Sequence, residues 1–229
     1  MDRTPEAEEA IRSSDLIVGY KLYVEYLDDL VAGKEVCSTG MRAEKERCQL
    51  AIDRARAGAV VSLISSGDPG IYGMAGLVLE MLGGDHKPVQ VKIIPGISAA
   101  QIAAARLGAP LTLDYACISL SDLLVPWATI RGRLEAVAAA DLVTALYNPR
   151  SMRRISQLEE AVAIFNKHRA DTTPVGIATA LGAPAEKVIL TDLGHLLEHE
   201  IDMRTIVLIG NSTSRNMNGW FVTPRGYKL

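Results

Sequence analysis

Short runs of apolar, often β-branched residues alternate along the chain with stretches in which apolar positions return every three or four residues. The first pattern fits strands buried on both faces; the second fits helices that bury one stripe and hydrate the other. The runs predict strands over residues 15–18, 59–65, 90–94, 115–119, 142–147, 175–179, 187–190 and 205–209. Cys48, Ala51, Ile52 and Ala55 mark one helix, and Ile155, Leu158, Val162 and Phe165 mark another. An Ala-rich helix is expected over residues 98–107, and a further one around Leu134, Val137 and Ala138. The charges of Glu44 to Arg47 read as a solvated helix face. Strands and helices in alternation predict an α/β fold with largely parallel strands. No unit of about 20–50 residues recurs, which excludes a solenoid.

The loop Gly108-Ala109-Pro110-Leu111-Thr112 follows the Ala-rich helix and precedes a fresh set of strands, so the expected division is an N-terminal lobe of residues 1–112 and a C-terminal lobe of 113–229. A weaker break falls at residues 121–126. Two lobes of similar size leave a cleft, the usual place for a small-molecule site.

Composition narrows the function classes. The 229 residues are 48% hydrophobic and 22% charged, ordinary for a globular chain and not for a disordered one. A net charge of -3 argues against a protein that coats nucleic acid or an anionic membrane, and 5% aromatic residues argue against a base-stacking platform. No apolar stretch approaches the roughly 18–20 residues that span a bilayer. The start, Met1-Asp2-Arg3-Thr4-Pro5-Glu6, lacks the basic segment and apolar block of a signal peptide. Cys37, Cys48 and Cys117 read as reduced, buried thiols of a cytoplasmic protein. His86, His168, His195 and His199 show no metal-ligand spacing; His195 and His199 are four apart on an expected surface helix, so no metal site is expected.

Two loops carry candidate chemistry. Ser65-Ser66-Gly67-Asp68-Pro69-Gly70-Ile71-Tyr72-Gly73 follows an expected strand, and its glycines allow left-handed backbone and close approach to a ligand. A plain strand-to-helix turn with Asp68 as a helix cap accounts for the same residues. The loop is neither a Walker A sequence nor a G-x-G-x-x-G fingerprint, so nucleoside triphosphates and NAD lose support. Ile94-Pro95-Gly96-Ile97-Ser98-Ala99-Ala100 again joins an expected strand to a helix, with Ser98 able to cap the helix or meet a ligand.

Ser66-Gly67-Asp68-Pro69-Gly70-Ile71-Tyr72-Gly73 followed by Pro95-Gly96-Ile97-Ser98-Ala99 resembles the tetrapyrrole methylases, two-lobed S-adenosylmethionine-dependent enzymes of corrin and siroheme synthesis. Further strings resemble the precorrin-3B C17-methyltransferase (cobalt-factor III methyltransferase) branch of that family. They are Val18-Gly19-Tyr20-Lys21-Leu22-Tyr23, Ser38-Thr39-Gly40-Met41, Ile118-Ser119-Leu120-Ser121-Asp122-Leu123-Leu124, Leu146-Tyr147-Asn148-Pro149-Arg150-Ser151, Gly176-Ile177-Ala178-Thr179-Ala180-Leu181-Gly182 and Ile209-Gly210-Asn211-Ser212. The resemblance runs through essentially the whole chain in order. One feature departs from it. Family members open with a short strand and a Gly-x-Gly-Pro-Gly-type loop, whereas Thr4-Pro5-Glu6-Ala7 already reads as the helix that follows. About a dozen residues, and a central strand whose loss would expose ladder groups, are therefore expected to be lacking.

The resemblance implies an N-terminal mostly parallel sheet, a C-terminal mixed sheet flanked by helices, a ligand cleft between lobes, a homodimer, and a corrin precursor as substrate. It implies S-adenosylmethionine as methyl donor, with S-adenosylhomocysteine as product, and places donor contacts on Ser66, Gly67, Asp68, Ile71, Ser98, Ala99, Asn148 and Leu181. The substrate's carboxylates call for basic side chains, for which Lys21, Arg42, Arg150, Arg153 and Arg154 are candidates; solvated surface charge accounts equally for each. Ring contraction needs proton movement. Asp122, in a polar loop ahead of Pro126, is the first candidate acid/base, followed by Tyr20 and Tyr72, and a loop-cap role for Asp122 stands beside it. A sister methylase acting on uroporphyrinogen or a translation component, and a donor-binding module without catalysis, remain the alternatives.

Overall fold

The computed structural model describes residues 2–27, 29–84, 89–151 and 154–228. The chain forms two compact units, Asp2–Ser98 and Ala99–Leu229. The division falls ahead of the Ala-rich helix and not at the 108–112 loop, because that helix packs on the second unit's sheet.

In the first unit the order is α1 (Pro5–Ser13), β1 (Leu16–Tyr20), α2 (Lys21–Glu25), β2 (Glu35–Thr39), α3 (Glu44–Arg56), β3 (Val61–Ile64) and α4 (Ala75–Gly83). Thr4 starts α1: its side chain accepts from Ala7 N–H at 3.2 Å, Pro5 takes the first position, and Glu6 and Glu8 oppose the positive end of the helix dipole. The strands run parallel in the order β2-β1-β3. Central β1 is sealed on both faces, Ile17 against Ile11, Leu27 and Leu30, and Leu16 and Val18 against Ala51.

Three expectations for this unit are corrected. Residues 90–94 form no strand, for they find no ladder partner among the described residues. An edge strand, β2, exists where none was expected; Glu35-Val36-Cys37-Ser38-Thr39 is too polar to stand out as a buried run. Arg47 does not lie on a wet face. It is 3% exposed and reaches back to donate to Thr39 Oγ1 at 2.7 Å and Gly40 O at 2.8 Å, tying α3 to the end of β2.

The second unit comprises α5 (Ala99–Leu107), β4 (Gly108–Ala109), β5 (Tyr115–Ser119), α6 (Trp127–Ala139), β6 (Val143–Tyr147), α7 (Ser156–Phe165), β7 (Pro174–Thr179), β8 (Lys187–Asp192), a 3-10 turn (Leu196–Glu198), β9 (Thr205–Ile209), β10 (Arg215–Met217) and β11 (Trp220–Val222). Five strands make one sheet, β5-β6-β9-β7-β8. Only β5 and β6 are parallel; β9 is antiparallel to both its neighbours, and β8 to β7. The expectation of largely parallel strands therefore holds for the first unit and the implied mixed sheet for the second. β9 is buried throughout: Val207 and Ile209 face a core shared with Leu134, Leu146, Leu158, Phe165 and Ile177, while Ile206 and Leu208 face Ala100, Ala103, Leu107 and Phe221. α5 lies so close that a Cβ on Gly176 would sit 2.2 Å from Leu107 Cδ1. β10 and β11 form a hairpin at Asn218-Gly219, both at positive φ (54° and 88°), and β11 pairs with β4. Ile155 lies ahead of α7 and is 54% exposed, outside the buried stripe in which it was expected.

Of the cysteines, Cys48 is buried, Cys37 half-buried and Cys117 exposed, against the expectation of three buried thiols. None of the described helices is long and apolar enough to cross a membrane.

Candidate functional site

Because β1, β2 and β3 are parallel, the segments that follow them leave the first unit's sheet at one edge. Tyr20 and Lys21, residues 40–42, and the glycine-rich loop after β3 are thereby gathered there from distant points in sequence. Tyr20 stacks edge-on against Tyr23, ring centres 5.1 Å apart. Lys21 and Arg42 are exposed, and Arg42 holds a left-handed backbone at φ 66°.

The two glycine-bearing loops meet. Asp68 accepts from Gly70 N–H at 2.8 Å with Oδ1 and from Gly96 N–H at 3.1 Å with Oδ2, so one carboxylate shapes its own turn and holds the second loop. Asp68 is therefore a clamp between loops and not the cap of α4, which begins at Ala75. A Cβ on Gly96 would lie 2.0 Å from Gly67 O, an approach that only glycine permits. Ser66 and Gly67 are exposed, Gly67 at φ 64°. Ile71 and Tyr72 are 40% and 54% exposed, and Tyr72 is also left-handed at φ 54°. Non-glycine residues in that region carry strain and favour functional segments. Ser98 is 3% exposed and closes the unit.

The second unit has a corresponding edge. β5, β6 and β7 point the same way, which brings together the residues at or just past their ends: Ser119, Asn148 and Leu181. Asn148, at φ 50° and exposed, donates from Nδ2 to Ser119 Oγ at 3.0 Å. Tyr147 Oη accepts from Ala100 N–H at 3.1 Å, so a side chain of β6 takes up one of the unpaired donors at the start of α5. Ala99, Tyr147 and Leu181 pack on the same small cluster. The expected donor contacts Ala99, Asn148 and Leu181 thus share one edge. Sequence reasoning did not single out Ser119, Tyr147 or Gly96 as site residues, although all three lie within the strings that carried the resemblance.

Beside Ser119 lies a polar constellation. Asp122 is exposed and accepts from Gln157 Nε2 at 2.9 Å; Arg154 Nη1 donates to Ser121 Oγ at 3.4 Å. Burial pulls the Arg154 guanidinium below its ordinary value, and the neighbouring Asp122 carboxylate opposes that. Arg154 Nε and Gln157 Oε1 are shielded from solvent and have no hydrogen-bond partner among the described residues. Arg150 faces Glu159 at 3.5 Å and is less free to meet a ligand. Arg153 lies outside the described residues, as does His86. His195 binds Asp192, which raises its pKa, and His199 meets Thr191 Oγ1 at 3.1 Å. They flank a 3-10 turn and not the helix expected of them. No cluster among the described residues has the composition to hold a metal ion.

Residues 2–197 match the family model described as Tetrapyrrole (Corrin/Porphyrin) Methylases. A protein of Priestia megaterium named cobalt-factor III methyltransferase is 48% identical over 98% of this chain, which spans 42% of that protein's length. A probable cobalt-factor III C(17)-methyltransferase of Salmonella typhimurium is 46% identical over 99% of this chain and 94% of its own. The solved structure of the methyltransferase CobJ superposes with a TM-score of 0.91 at 35% identity, covering 96% of this chain and 93% of that one.

Proposed function

Because the chain belongs to the tetrapyrrole (corrin/porphyrin) methylases, we propose that it moves the methyl group of S-adenosylmethionine to C17 of a corrin precursor, precorrin-3B or its cobalt counterpart, and contracts the macrocycle. The observation that carries this is the contact of the two glycine loops, in which the lack of a Cβ at Gly96 lets it meet Gly67 O while Gly67 itself stays exposed at φ 64°.

Such a surface fits a donor that must be held by peptide groups along its length. In the first unit Ser66, Gly67, Asp68 and Ile71 would hold it, with Ser98 at the end of the second loop. The donor contacts that the resemblance implies in the second unit, Ala99, Asn148 and Leu181, lie along the edge that Tyr147 and Ser119 organise. The donor, when bound, supplies an electrophilic methyl on a sulfonium. The chain's own task is to align a nucleophilic carbon with that methyl and keep water away, work done by positioning.

Substrate carboxylates fall to Arg154 before Arg150, since Arg154 Nε is shielded and has no hydrogen-bond partner among the described residues, while Arg150 is engaged by Glu159. Asp122, exposed and steadied by Gln157, is positioned to take or give the proton that contraction requires. A sister methylase with a different substrate is disfavoured by relatives 46–48% identical over nearly the whole chain that are named for this reaction.

The test is calorimetry with S-adenosylhomocysteine together with product analysis on both substrate forms. The expected result is binding that Gly67→Val abolishes, and a mass gain of one methyl with the absorption spectrum of a contracted ring. Unchanged binding in Gly67→Val, or turnover of uroporphyrinogen in preference, would overturn the assignment.

A further inference from the structure

Between β5 and α6 the chain reads Leu120-Ser121-Asp122-Leu123-Leu124-Val125-Pro126, with leucines and a valine in a connection where turn chemistry favours polar residues. Packing accounts for the outer two: Leu120 is fully buried, and Val125 rests against the same core. The inner pair has no such account. Leu123 is 69% exposed and Leu124 92%, the latter more than any other large apolar side chain among the described residues.

Both ends of this tip are braced. Ahead of it, Leu120 N–H donates to Tyr147 O at 2.9 Å, Ser121 N–H to Ser119 Oγ at 3.2 Å, and Gln157 Nε2 to Asp122 Oδ2 at 2.9 Å. Behind it, Pro126 opens α6 and accepts from Thr129 N–H at 3.0 Å, while Trp127 Nε1 donates to Glu160 Oε2 at 2.8 Å. Two leucines are thus held in water, where each forgoes the gain of burial. A single exposed leucine is ordinary; an adjacent pair presented on a braced loop is a contact surface.

The surroundings of the pair indicate what it meets. Asp122 immediately precedes it. Arg154 donates to Ser121 yet keeps a shielded Nε without a hydrogen-bond partner among the described residues, and Gln157 Oε1 is in the same condition. The loop therefore adjoins an apolar tip, an unmet donor and an unmet acceptor. A lipid surface calls for a cluster of cations, whereas the cation here is set beside the carboxylate of Asp122. A stable interface with a second copy takes about 800 Å² from each partner, far more than two side chains cover. An occupant that is apolar across one face and anionic at its rim satisfies both parts of the loop.

We propose that Leu123 and Leu124 lie against the carbon face of the substrate macrocycle while Arg154 takes a carboxylate on its rim. This rests on the substrate class proposed above and adds which part of the substrate each group reads. It also brings the ring next to Asp122, where proton transfer requires it.

Coproporphyrin, a stable macrocycle with carboxylates on its rim, is the probe, followed by its fluorescence; calorimetry with S-adenosylhomocysteine reports donor binding separately. Leu123→Ser and Leu124→Ser should each weaken coproporphyrin by about ten-fold, and the double variant by about a hundred-fold. Affinity for S-adenosylhomocysteine and the urea midpoint should stay unchanged, since neither side chain is buried. Leu124→Met, which keeps the apolar area, should retain the probe. Failure of the unaltered protein to bind coproporphyrin would overturn the proposal, as would equal affinity in the double variant. Loss of self-association in the double variant, read by sedimentation velocity, would assign the pair to a second copy and overturn it equally. Absence of S-adenosylhomocysteine binding in the unaltered protein strikes the donor reading alone, and the ring contact then stands or falls on the coproporphyrin result.

Discussion

Alanine at position 96 would bring a methyl group to 2.0 Å from Gly67 O, 2.8 Å from Gly67 C and 3.3 Å from Asp68 Cα. All three are backbone atoms, so no rotamer change relieves the clash. Ordinary contact at about 3.5 Å requires the loops to part by roughly 1.5 Å. The same displacement takes the Gly96 N–H out of reach of Asp68 Oδ2, from which it now stands 3.1 Å. Overpacking costs about 1–3 kcal/mol, and loss of a hydrogen bond to a charged acceptor about 1.5–3 kcal/mol. One movement causes both, so the terms overlap and the expected scale is about 3 kcal/mol. Taken from donor binding, that is roughly a hundred-fold in affinity. Asp68→Asn separates the terms, because an amide has a single oxygen to offer where the carboxylate serves both Gly70 and Gly96. Urea titration and calorimetry with S-adenosylhomocysteine should rank Gly96→Ala below Asp68→Asn, and both below the unaltered protein. A Gly96→Ala variant with an unchanged urea midpoint and unchanged affinity would refute the contact and the donor site built on it.

Gly176→Ala should destabilise the second unit by about 1–3 kcal/mol through its clash with Leu107, and a double-mutant cycle with Leu107→Ala should recover part of that loss. Glu186 is held below the usual carboxylate range by the Gly182 N–H and then by Arg106. Its contribution to stability is present above the ordinary carboxylate pKa and is lost as pH falls through the lowered folded-state value. The melting temperature of the unaltered protein should therefore exceed that of Glu186→Gln at pH 6 and converge on it toward pH 3; a constant gap would contradict this. Arg154→Ala should weaken the tetrapyrrole by about ten- to a hundred-fold and leave S-adenosylhomocysteine binding intact, read by calorimetry with each ligand. Asp122→Asn should slow ring contraction by about a hundred-fold or more while both ligands still bind. Contraction conserves mass, so the absorption spectrum or NMR of the product is the measurement to make.

The sequence displayed the loops better than the partners. The glycines of residues 66–73 and 95–99 announced themselves because close approach leaves few other residue types. What Asp68 does there was not legible, since its partner lies 28 residues away. Arg47 shows the same limit: charge at a helix start reads as hydrated until Thr39 is found beneath it. Strand direction was also hidden, because a run such as Thr205-Ile206-Val207-Leu208-Ile209 is sealed on both faces whether its neighbours run with it or against it. The β10–β11 hairpin is legible in its turn: Asn218-Gly219 is the dipeptide that a tight hairpin turn with two left-handed residues prefers. Residues 90–94 have the composition of a strand without its state, since a ladder needs two members.

The place of β9 sets a timetable for synthesis. Its neighbours β6 and β7 do not pair with each other, so the larger sheet has no middle until Thr205–Ile209 has left the ribosome. β6 is complete at Tyr147, and at about 5–20 residues per second the joining strand follows roughly 3–12 s later. During that interval Val143, Ala145 and Leu146, each at 0% exposure in the finished unit, wait with one ladder edge open. A nascent second unit is thus a natural client for chaperones that hold apolar strands, and slow codons ahead of residue 205 would lengthen its exposure to wrong partners.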